Sequence, residues 1–536
     1  MLRRSTVIII SISFILFLIR LFICQQPYSA DIFSYDFYVY TNLAKNIFKD
    51  FNFTAHWCLD NPIKYPPLFS VLIYFVTIFT KNSIVSIQYI NAFSSSFCLV
   101  PLFLLVRDVL NKKLAVLAVI FMTCYYGIQR PCSDLFVDYL FSFLTITICW
   151  LTWRFPKTKR LAYFILLGIL IGLAYLTKYM GGIYCLVSAV SIFCYFIRQH
   201  DGLKIGLRMI SFLLLGFLPI FIIYQSIFYE GKYHGVSDIG TCTFFDGNYK
   251  YEKKLIYNLD SKGTEFELLS SHKNDSVLTF CVKHPRLVWN KYVNGFKRLP
   301  FLFGSQSANI YFVIQGVFLI LLGFFMFHYQ WYDSIVPIFL FVLTAMGIPV
   351  YYSDTRYLLP FMPLYFVLWL FIINGAWVFI ETKVVNNRKF YQSSAFIIYV
   401  LLILFYSADC YDKEILFFKK ESGHIKEYLQ AASWIKEDSK GVSGGIKIMA
   451  LGTALAYLTD ASLIALPAAD EYQKIVSFAL LMNVNYVILD REEIDREIGR
   501  GVYLPLMKGL LANPHLRMVY QDQDHRHPLV ILKVLI

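Results

Sequence analysis

The chain has 536 residues, of which 57% are hydrophobic and only 16% are charged, whereas about a quarter of a typical soluble domain is charged. This composition excludes an ordinary soluble protein and indicates one that crosses a membrane several times. The formal net charge of +13 does not require nucleic acid, because excess Lys and Arg in membrane proteins usually lie in cytoplasmic loops.

The apolar segments predict a polytopic, all-α membrane domain with about eleven transmembrane helices. The first segment follows Arg3 and Arg4 like a signal peptide, but no small-x-small cleavage site comes after it, so we interpret it as an uncleaved helix. Residues 67–80 are too short to cross comfortably and are predicted to form an interfacial helix. The predicted spans cover residues 6–24, 84–106, 114–130, 135–152, 160–177, 179–197, 207–228, 308–327, 334–351, 357–380 and 390–407.

The basic clusters between these spans predict the orientation. With residues 67–80 on the surface, all of the clusters fall on one side, which the positive-inside rule makes cytoplasmic together with the N-terminus. We therefore expect a transmembrane domain over residues 1–407, with large extracytoplasmic loops at 25–83 and 229–307. A small soluble domain should follow over residues 408–536, also outside.

The first extracytoplasmic loop carries an amphipathic pattern that begins at Asp36. Tyr40, Leu43, Ala44 and Ile47 recur at helical spacing, with polar residues on the other side, which predicts a short helix on the membrane surface. A carboxylate is favoured at a helix N-terminus. Asp36 is therefore either a helix cap or a catalytic carboxylate.

The tail has the alternation of a compact α/β domain. Helical patterns at residues 421–437 and 470–483 alternate with short apolar runs at 446–451, 486–490 and 529–535. The tail contains no GxGxxG, P-loop, HExxH or GxSxG motif, so we predict no catalysis there. The eleven cysteines of the chain include no CxxC pair, so no metal cluster is predicted.

Ionisable residues gather at the extracytoplasmic ends of the predicted spans. Each one alone is explained by a side chain that reaches out to water, but acids and bases together on one face suit acid/base chemistry on a phosphate-bearing substrate. Asp134 and Asp138, four residues apart, are predicted to share a helical face. The set comprises Asp36, Lys64, Arg130, Asp134, Asp138, Lys178, Asp354 and Arg356.

A transporter or flippase of a lipid-linked or anionic substrate is the alternative from another class. Transporters usually bind their cargo near mid-bilayer, between repeats of the chain. Here the charges lie at one surface, and the two halves show no repeat. An enzyme is therefore the better hypothesis.

Four motifs resemble the GT-C superfamily of glycosyltransferases, in particular its protein O-mannosyltransferases and aminoarabinose transferases. The resemblance spans about residues 1–380. The motifs are Asp36-Phe-Tyr-Val-Tyr40-Thr-Asn-Leu-Ala44-Lys with Tyr65-Pro-Pro-Leu68, then Ser133-Asp-Leu-Phe-Val-Asp138, Gly168-Ile-Leu-Ile-Gly-Leu-Ala-Tyr-Leu-Thr-Lys178 and Arg356-Tyr-Leu-Leu-Pro-Phe-Met-Pro363.

The resemblance implies a polyprenyl- or dolichyl-phosphate-sugar donor that enters from the outer leaflet. It places the general base at Asp36 and the second acid at Asp134 or Asp138, between which the motif does not choose. It also implies that basic residues hold the donor phosphate. The predicted substrate-binding residues are Tyr40, Lys64, Arg130, Lys178, Arg356 and Tyr357.

Several properties stay open at this point. Phe37 stands where many members have a second acid after the first, and the metal-binding positions of other members have no match here. A divalent metal is therefore neither predicted nor excluded. A single base with direct displacement would invert the anomeric centre, whereas retention needs a second carboxylate as nucleophile, so we predict inversion. The sugar is not identified, and the acceptor is a protein, a glycolipid or a polysaccharide.

Overall fold

The structure is a computed structural model. It describes residues 4–24, 35–50, 55–58, 61–63, 66–126, 130–133, 135–198, 202–228, 282–298, 332–344, 359–383, 427–441, 445–467, 471–491, 494, 503–508, 513–521 and 529–535. The chain forms two compact units. We call residues 1–27, 66–233 and 293–417 the helical unit, and residues 28–65, 234–292 and 418–536 the sheet unit.

Helices dominate the part of the chain that the structure describes. In chain order they are α1 (Arg4–Ile23), α2 (Tyr35–Asp50), α3 (Leu68–Thr80), α4 (Ser83–Phe97), α5 (Leu99–Val109), α6 (Lys112–Tyr126), α7 (Arg130–Ser133), α8 (Asp138–Arg154), α9 (Leu161–Tyr175), α10 (Ile183–Arg198), α11 (Leu203–Phe228), α12 (Pro285–Arg298), α13 (Tyr332–Thr344), α14 (Met362–Lys383), α15 (427–438), α16 (Ala454–Thr459), α17 (Tyr472–Leu481) and α18 (Tyr503–Met507).

Four stretches of the described residues are long and apolar enough to cross a membrane: Arg4–Ile23, Ser83–Val109, Tyr179–Arg198 and Leu203–Ser226. The chain is therefore an integral membrane protein. The predicted total of about eleven spans is not reached among the described residues, and the spans at 308–327 and 390–407 lie outside them. Helix α3 has 13 residues, so at 1.5 Å per residue it is about 20 Å long, short of a bilayer core.

Small and polar side chains let the helices of the helical unit approach closely. A Cβ atom at Gly168 of α9 would collide with the backbone of α11, and one at Gly216 of α11 would collide with the backbone of α9. Small residues at such crossings are typical of membrane helices. The buried guanidinium of Arg20 in α1 donates to the hydroxyls of Ser95 and Ser96 in α4, at 2.9 Å each. The bundle thus contains polar contacts as well as apolar packing.

The sheet unit contains a five-stranded mixed sheet, which confirms the predicted C-terminal α/β fold. Its order is β4-β3-β5-β7-β6, with β3 parallel to β4 and β5, and β7 antiparallel to β5 and β6. A separate antiparallel hairpin, β1 with β2, comes from the first loop. The strands are β1 (Ala55–Cys58), β2 (Asn61–Ile63), β3 (Lys447–Ala450), β4 (Ser462–Ala465), β5 (Tyr486–Asp490), β6 (Leu516–Gln521) and β7 (Leu529–Val534).

The apolar runs that predicted strands became β3, β5 and β7, and every residue of β5 is buried. Helix α15 overlaps the helical pattern predicted at residues 421–437, and α17 lies within that predicted at 470–483. A carboxylate at the rim, Asp438, accepts hydrogen bonds from Lys533 at 2.7 Å and Tyr486 at 2.6 Å. These bonds hold the pKa of Asp438 below its usual value.

The predicted boundary between residues 407 and 408 falls outside the described residues and stays a prediction. The helix predicted in the first loop is confirmed as α2, and it belongs to the sheet unit. The loops at 25–83 and 229–307, expected within the transmembrane domain, are each divided between the two units.

Candidate functional site

The structure joins two of the predicted site residues in an ion pair. The ammonium of Lys178 donates a short hydrogen bond to Oδ1 of Asp138. The Asp138 side chain is 4% exposed and that of Lys178 is 16% exposed. Charges are rarely this buried unless they are paired. The pair is therefore a built feature of the fold rather than two side chains that reach independently to water.

Local backbone geometry explains why Lys178 stands where it does. Helix α9 ends at Tyr175, Lys178 is in an extended conformation, and a single 3-10 turn follows from Tyr179 to Gly182. The N–H of Lys178 donates to the carbonyl of Ala174 at 2.9 Å, which closes the end of the helix. A Cβ atom at Gly181 would collide with the backbone at Ala174. The turn is folded back so tightly on α9 that position 181 requires glycine.

The start of α3 lies against this same turn. Pro66 and Pro67 are buried, and the N–H of Leu68 donates to the carbonyl of Leu176 at 2.9 Å. The structure thus brings together three of the segments that carried the resemblance: the Pro-Pro-Leu sequence before α3, the start of α8 at Asp138, and the end of the α9 motif at Lys178. These segments lie up to about 110 positions apart along the chain.

Sequence reasoning missed a polar aromatic cluster beside this turn. The hydroxyls of Tyr179 and Tyr224 are 3.0 Å apart, and the amide of Gln225 donates to the hydroxyl of Tyr175 at 2.8 Å. The rings of Tyr175 and Tyr224 also meet edge to face. The sequence offered one signal, because Tyr175 lies within the motif that ends at Lys178 and Tyr179 follows it directly. The partners from α11 could not be identified from sequence spacing.

Contacts cannot be assigned to several of the predicted site residues. Lys64, Asp134, Arg356 and Tyr357 lie outside the described residues, and of Arg130 the structure describes only that it begins α7. The predicted common helical face of Asp134 and Asp138 lies partly outside the described residues, because Asp134 is not among them. Helix α8 begins only at Asp138, and residues 135–137 are not helical.

Asp36 lies in the first turn of α2 and is half-buried. At 100° per residue it shares a helix face with Tyr40, Leu43 and Ile47. These three side chains are all at most 4% exposed. Asp36 is a member of the sheet unit, whereas the Asp138–Lys178 pair belongs to the helical unit.

The expectation that α2 rests on a membrane surface needs correction. The apolar face predicted to meet lipid is buried in protein, and so is Thr41, which was assigned to the polar face. The Thr41 hydroxyl donates back to the carbonyl oxygens of Phe37 at 2.9 Å and Tyr38 at 3.0 Å. An amphipathic pattern indicates that one face avoids water, and it does not distinguish lipid from a protein partner.

Metal binding finds no support in the part of the chain that the structure describes. Within it, no group of three or more His, Cys, Asp or Glu side chains could hold an ion.

Comparison with known proteins finds a family match to the central part of the helical unit. Residues 64–225 match the family model described as dolichyl-phosphate-mannose-protein mannosyltransferase. This part of the chain, less than a third of its length, is similar to that family. The match contains both Asp138 and Lys178, and the chain is accordingly a membrane glycosyltransferase of the GT-C type, from the class that uses polyprenyl-phosphate sugars. The transporter alternative is thereby set aside. No curated protein matches the chain.

Solved structures of an archaeal oligosaccharyltransferase share the fold over nearly the whole length of this chain. The oligosaccharyltransferase of Archaeoglobus fulgidus, tethered to an acceptor peptide with the NVT sequon, is 13% identical with a TM-score of 0.54, over 96% of this chain and 73% of that one. The same enzyme, AglB, with an inhibitory peptide and a dolichol-phosphate is 13% identical with a TM-score of 0.53, over 97% and 74%. ArnT from Cupriavidus metallidurans bound to undecaprenyl phosphate is 12% identical with a TM-score of 0.49, over 98% and 97%.

Proposed function

We propose that the protein transfers a sugar from a polyprenyl- or dolichyl-phosphate-linked donor to an acceptor hydroxyl, on the extracytoplasmic side and with inversion. The observation that carries this proposal is the buried Asp138–Lys178 pair within the family match. The description of the family names a dolichyl-phosphate-mannose donor. A dolichol-phosphate is also bound in one of the structures that share the fold.

Lys178 is proposed to stabilise the phosphate that leaves the sugar. The carboxylate of Asp138 fixes the position of the ammonium, so that the donor meets a charge already held in place. A preorganised cation in a site of low dielectric constant stabilises a developing negative charge more strongly than one in water. Asp138 then acts through Lys178, and as a buried partner it is poorly suited to take a proton from an acceptor.

Asp36 is proposed as the general base. It takes the proton of the acceptor hydroxyl while that oxygen forms its bond to the anomeric carbon. The bond from the anomeric carbon to the phosphate oxygen breaks on the opposite face, and the lipid phosphate leaves with the electron pair. A single displacement of this kind inverts the anomeric centre.

The remaining predicted residues keep their proposed roles in substrate binding. Lys64, Arg130 and Arg356 would add positive charge around the donor phosphate, and Tyr357 would contact the sugar. Tyr40 is the exception, because its side chain is buried in the protein. Arg356→Ala should sharply weaken donor binding. Arg356→Lys should restore it only in part, because lysine cannot bind an oxyanion bidentately.

The testing experiment incubates the purified full chain with radiolabelled polyprenyl-phosphate sugars and follows donor hydrolysis and transfer. Asp36→Asn should lower turnover by roughly two to four orders of magnitude, as expected for a lost general base, while donor binding persists. Asp31→Asn is the matched control, since it removes a neighbouring carboxylate and should leave turnover unchanged. Near-normal turnover of Asp36→Asn would refute the assignment.

The orientation is tested separately by labelling single cysteines in sealed vesicles. A cysteine at Leu110 should react from the cytoplasmic side and one at Ala55 from the outside. The reverse pattern would show that α3 spans the membrane and would move the proposed chemistry to the other side.

A further inference from the structure

The outer edge of β4 in the C-terminal sheet has no strand hydrogen-bonded to it among the described residues, and we call it the open edge. Strand β1 of the first loop lies close beside β4. Strand β4 is the end strand of the sheet and pairs only with β3 among the described residues. The N–H groups of Ser462 and Leu466 donate to β3, at 2.8 and 3.0 Å. Because successive N–H groups of a strand alternate in direction, the N–H of Leu463 points to the open edge. Such an N–H needs a partner when it is buried.

Tyr38 of α2 supplies that partner. Its hydroxyl accepts a hydrogen bond from the N–H of Leu463 at 3.1 Å and donates to the carbonyl of Ala461 at 3.3 Å. All three residues are buried, with at most 7% of their surface exposed. Burial raises the pKa of Tyr38, so the hydroxyl stays protonated at neutral pH and can both donate and accept.

Two further contacts attach α2 to the same region. The ring of Phe37 meets that of Tyr457 edge to face, with centroids 4.7 Å apart. Lys45 forms an exposed ion pair with Asp460 at 2.6 Å, which lowers the pKa of that carboxyl. The contacts come from α16, from the residue after it and from the start of β4. They therefore fix both the position of α2 and its rotation about its own axis.

The rotation determines which way Asp36 points. On a helix, Tyr38 lies about 200° around the axis from Asp36 and Lys45 about 180°, at 100° per residue. The side chains of Tyr38 and Lys45 are therefore on the opposite face of α2 from the carboxylate. Docking by Tyr38 leaves the Asp36 face directed away from the sheet.

We propose that Tyr38 is a positioning residue, which clamps α2 to the open edge of β4 so that the C-terminal domain sets the direction of the Asp36 carboxylate. The proposal rests on the proposed function, in which Asp36 is the base. It assigns a role in the transfer reaction to a domain that carries no catalytic motif. The domain acts as the platform on which the catalytic helix is mounted.

The test compares Tyr38→Phe with Tyr428→Phe in the full chain. Both variants remove one buried tyrosine hydroxyl from the sheet unit, since Tyr428 donates to Asp490 at 2.6 Å. Only Tyr38→Phe loosens α2. Turnover of Tyr38→Phe should fall by about 10- to 100-fold, the range for a misplacement of about 1 Å at the reacting centre, with the donor dissociation constant unchanged. Tyr428→Phe should lose thermal stability to a similar extent but keep its turnover.

A double-variant cycle with Asp36→Asn completes the test. If Tyr38 acts through Asp36, adding Tyr38→Phe to Asp36→Asn should slow the enzyme by less than about twofold, because the two effects are not independent. Equal turnover losses in Tyr38→Phe and Tyr428→Phe would overturn the positioning role while leaving Asp36 as the base. Full activity of Asp36→Asn would overturn both proposals.

A milder variant guards against misfolding of Tyr38→Phe. Lys45→Gln removes an exposed ion pair, which costs at most about 1 kcal/mol of stability. It should lower turnover in the same direction but by less, again with unchanged donor affinity. Unchanged turnover in Lys45→Gln together with a collapsed Tyr38→Phe would refute the clamp.

Discussion

Replacing either member of the Asp138–Lys178 pair should destabilise the protein strongly, whereas replacing both should destabilise it much less. Lys178→Met leaves a carboxylate whose side chain is 4% exposed without its cation, and losing one partner of a buried pair costs about 3–5 kcal/mol. Asp138→Leu leaves an ammonium on a flexible stem that is already 16% exposed. That ammonium can move toward water, so Asp138→Leu should lose stability at the lower end of the same range, near 3 kcal/mol.

The double variant Asp138→Leu/Lys178→Met should regain most of the lost stability. It replaces a desolvated ion pair with an apolar pair of similar volume, and such replacements are often neutral or stabilising. Donor binding should not return with stability, because the cation proposed to hold the phosphate is absent. The double variant would then be nearly as stable as wild type and yet fail to bind donor, which distinguishes the structural role of the pair from its role in binding.

The assay is reversible unfolding of the purified protein in one detergent and lipid mixture, with binding of a polyprenyl-phosphate sugar measured in parallel. The order of stability should be wild type, then the double variant, then Asp138→Leu, then Lys178→Met. Single variants within about 0.5 kcal/mol of wild type would mean that the pair is solvated like a surface ion pair. A double variant as unstable as the sum of the two single variants would mean that the residues act independently.

Three further outcomes follow from other contacts. Gly181→Ala should destabilise the protein by about 1–3 kcal/mol through overpacking and weaken donor binding. Gly206→Ala is the control, because its Cβ would lie 3.4 Å from the nearest side chain. This variant should be stabilising or neutral in the same unfolding assay. The thiols of Cys24 and Cys132, which share one buried cluster, should be joined into a disulfide by copper phenanthroline and oxygen, seen as protection from alkylation in mass spectrometry. The pKa of Asp438 is lowered in the folded protein. Its ionised carboxylate therefore stabilises the fold at pH values above its ordinary pKa of about 3.9, and this stabilisation is lost as the pH falls through the lowered pKa. Asp438→Asn should reduce the acid-induced rise in amide exchange of the C-terminal sheet.

The sequence predicted the elements whose signal is local. The apolar runs predicted the helices of the membrane part, and alternation in the tail predicted β3, β5 and β7, because burial is repeated along each element. Asp36 was placed near the start of a helix for the same reason. The strands β4 and β6 were missed. Strand β6 lies at the other end of the sheet, and most of its residues are only partly buried.

The parts of the site that could not be predicted depend on contacts distant in sequence. Asp138 and Lys178 are 40 residues apart, and the bond from Tyr38 to Ala461 spans 423 residues. Neither separation corresponds to a helical or strand period, so periodicity carries no information about it. The motif resemblance named Asp138 and Lys178 as separate candidates. Only the fold shows that one holds the other.

The burial of α2 explains why its amphipathic pattern misled the interpretation. Lipid and protein interiors both exclude water, so both select the same apolar stripe. What distinguishes them is the opposite face, where a helix on a membrane surface would meet water. On α2 that face carries Tyr38, whose hydroxyl completes the hydrogen bonding of β4. Tyrosine is also common at membrane interfaces, where its hydroxyl meets water, so the sequence alone did not distinguish the two environments. The buried hydrogen bonds of Tyr38 in the structure do distinguish them, because acyl chains offer no partner to a phenol hydroxyl.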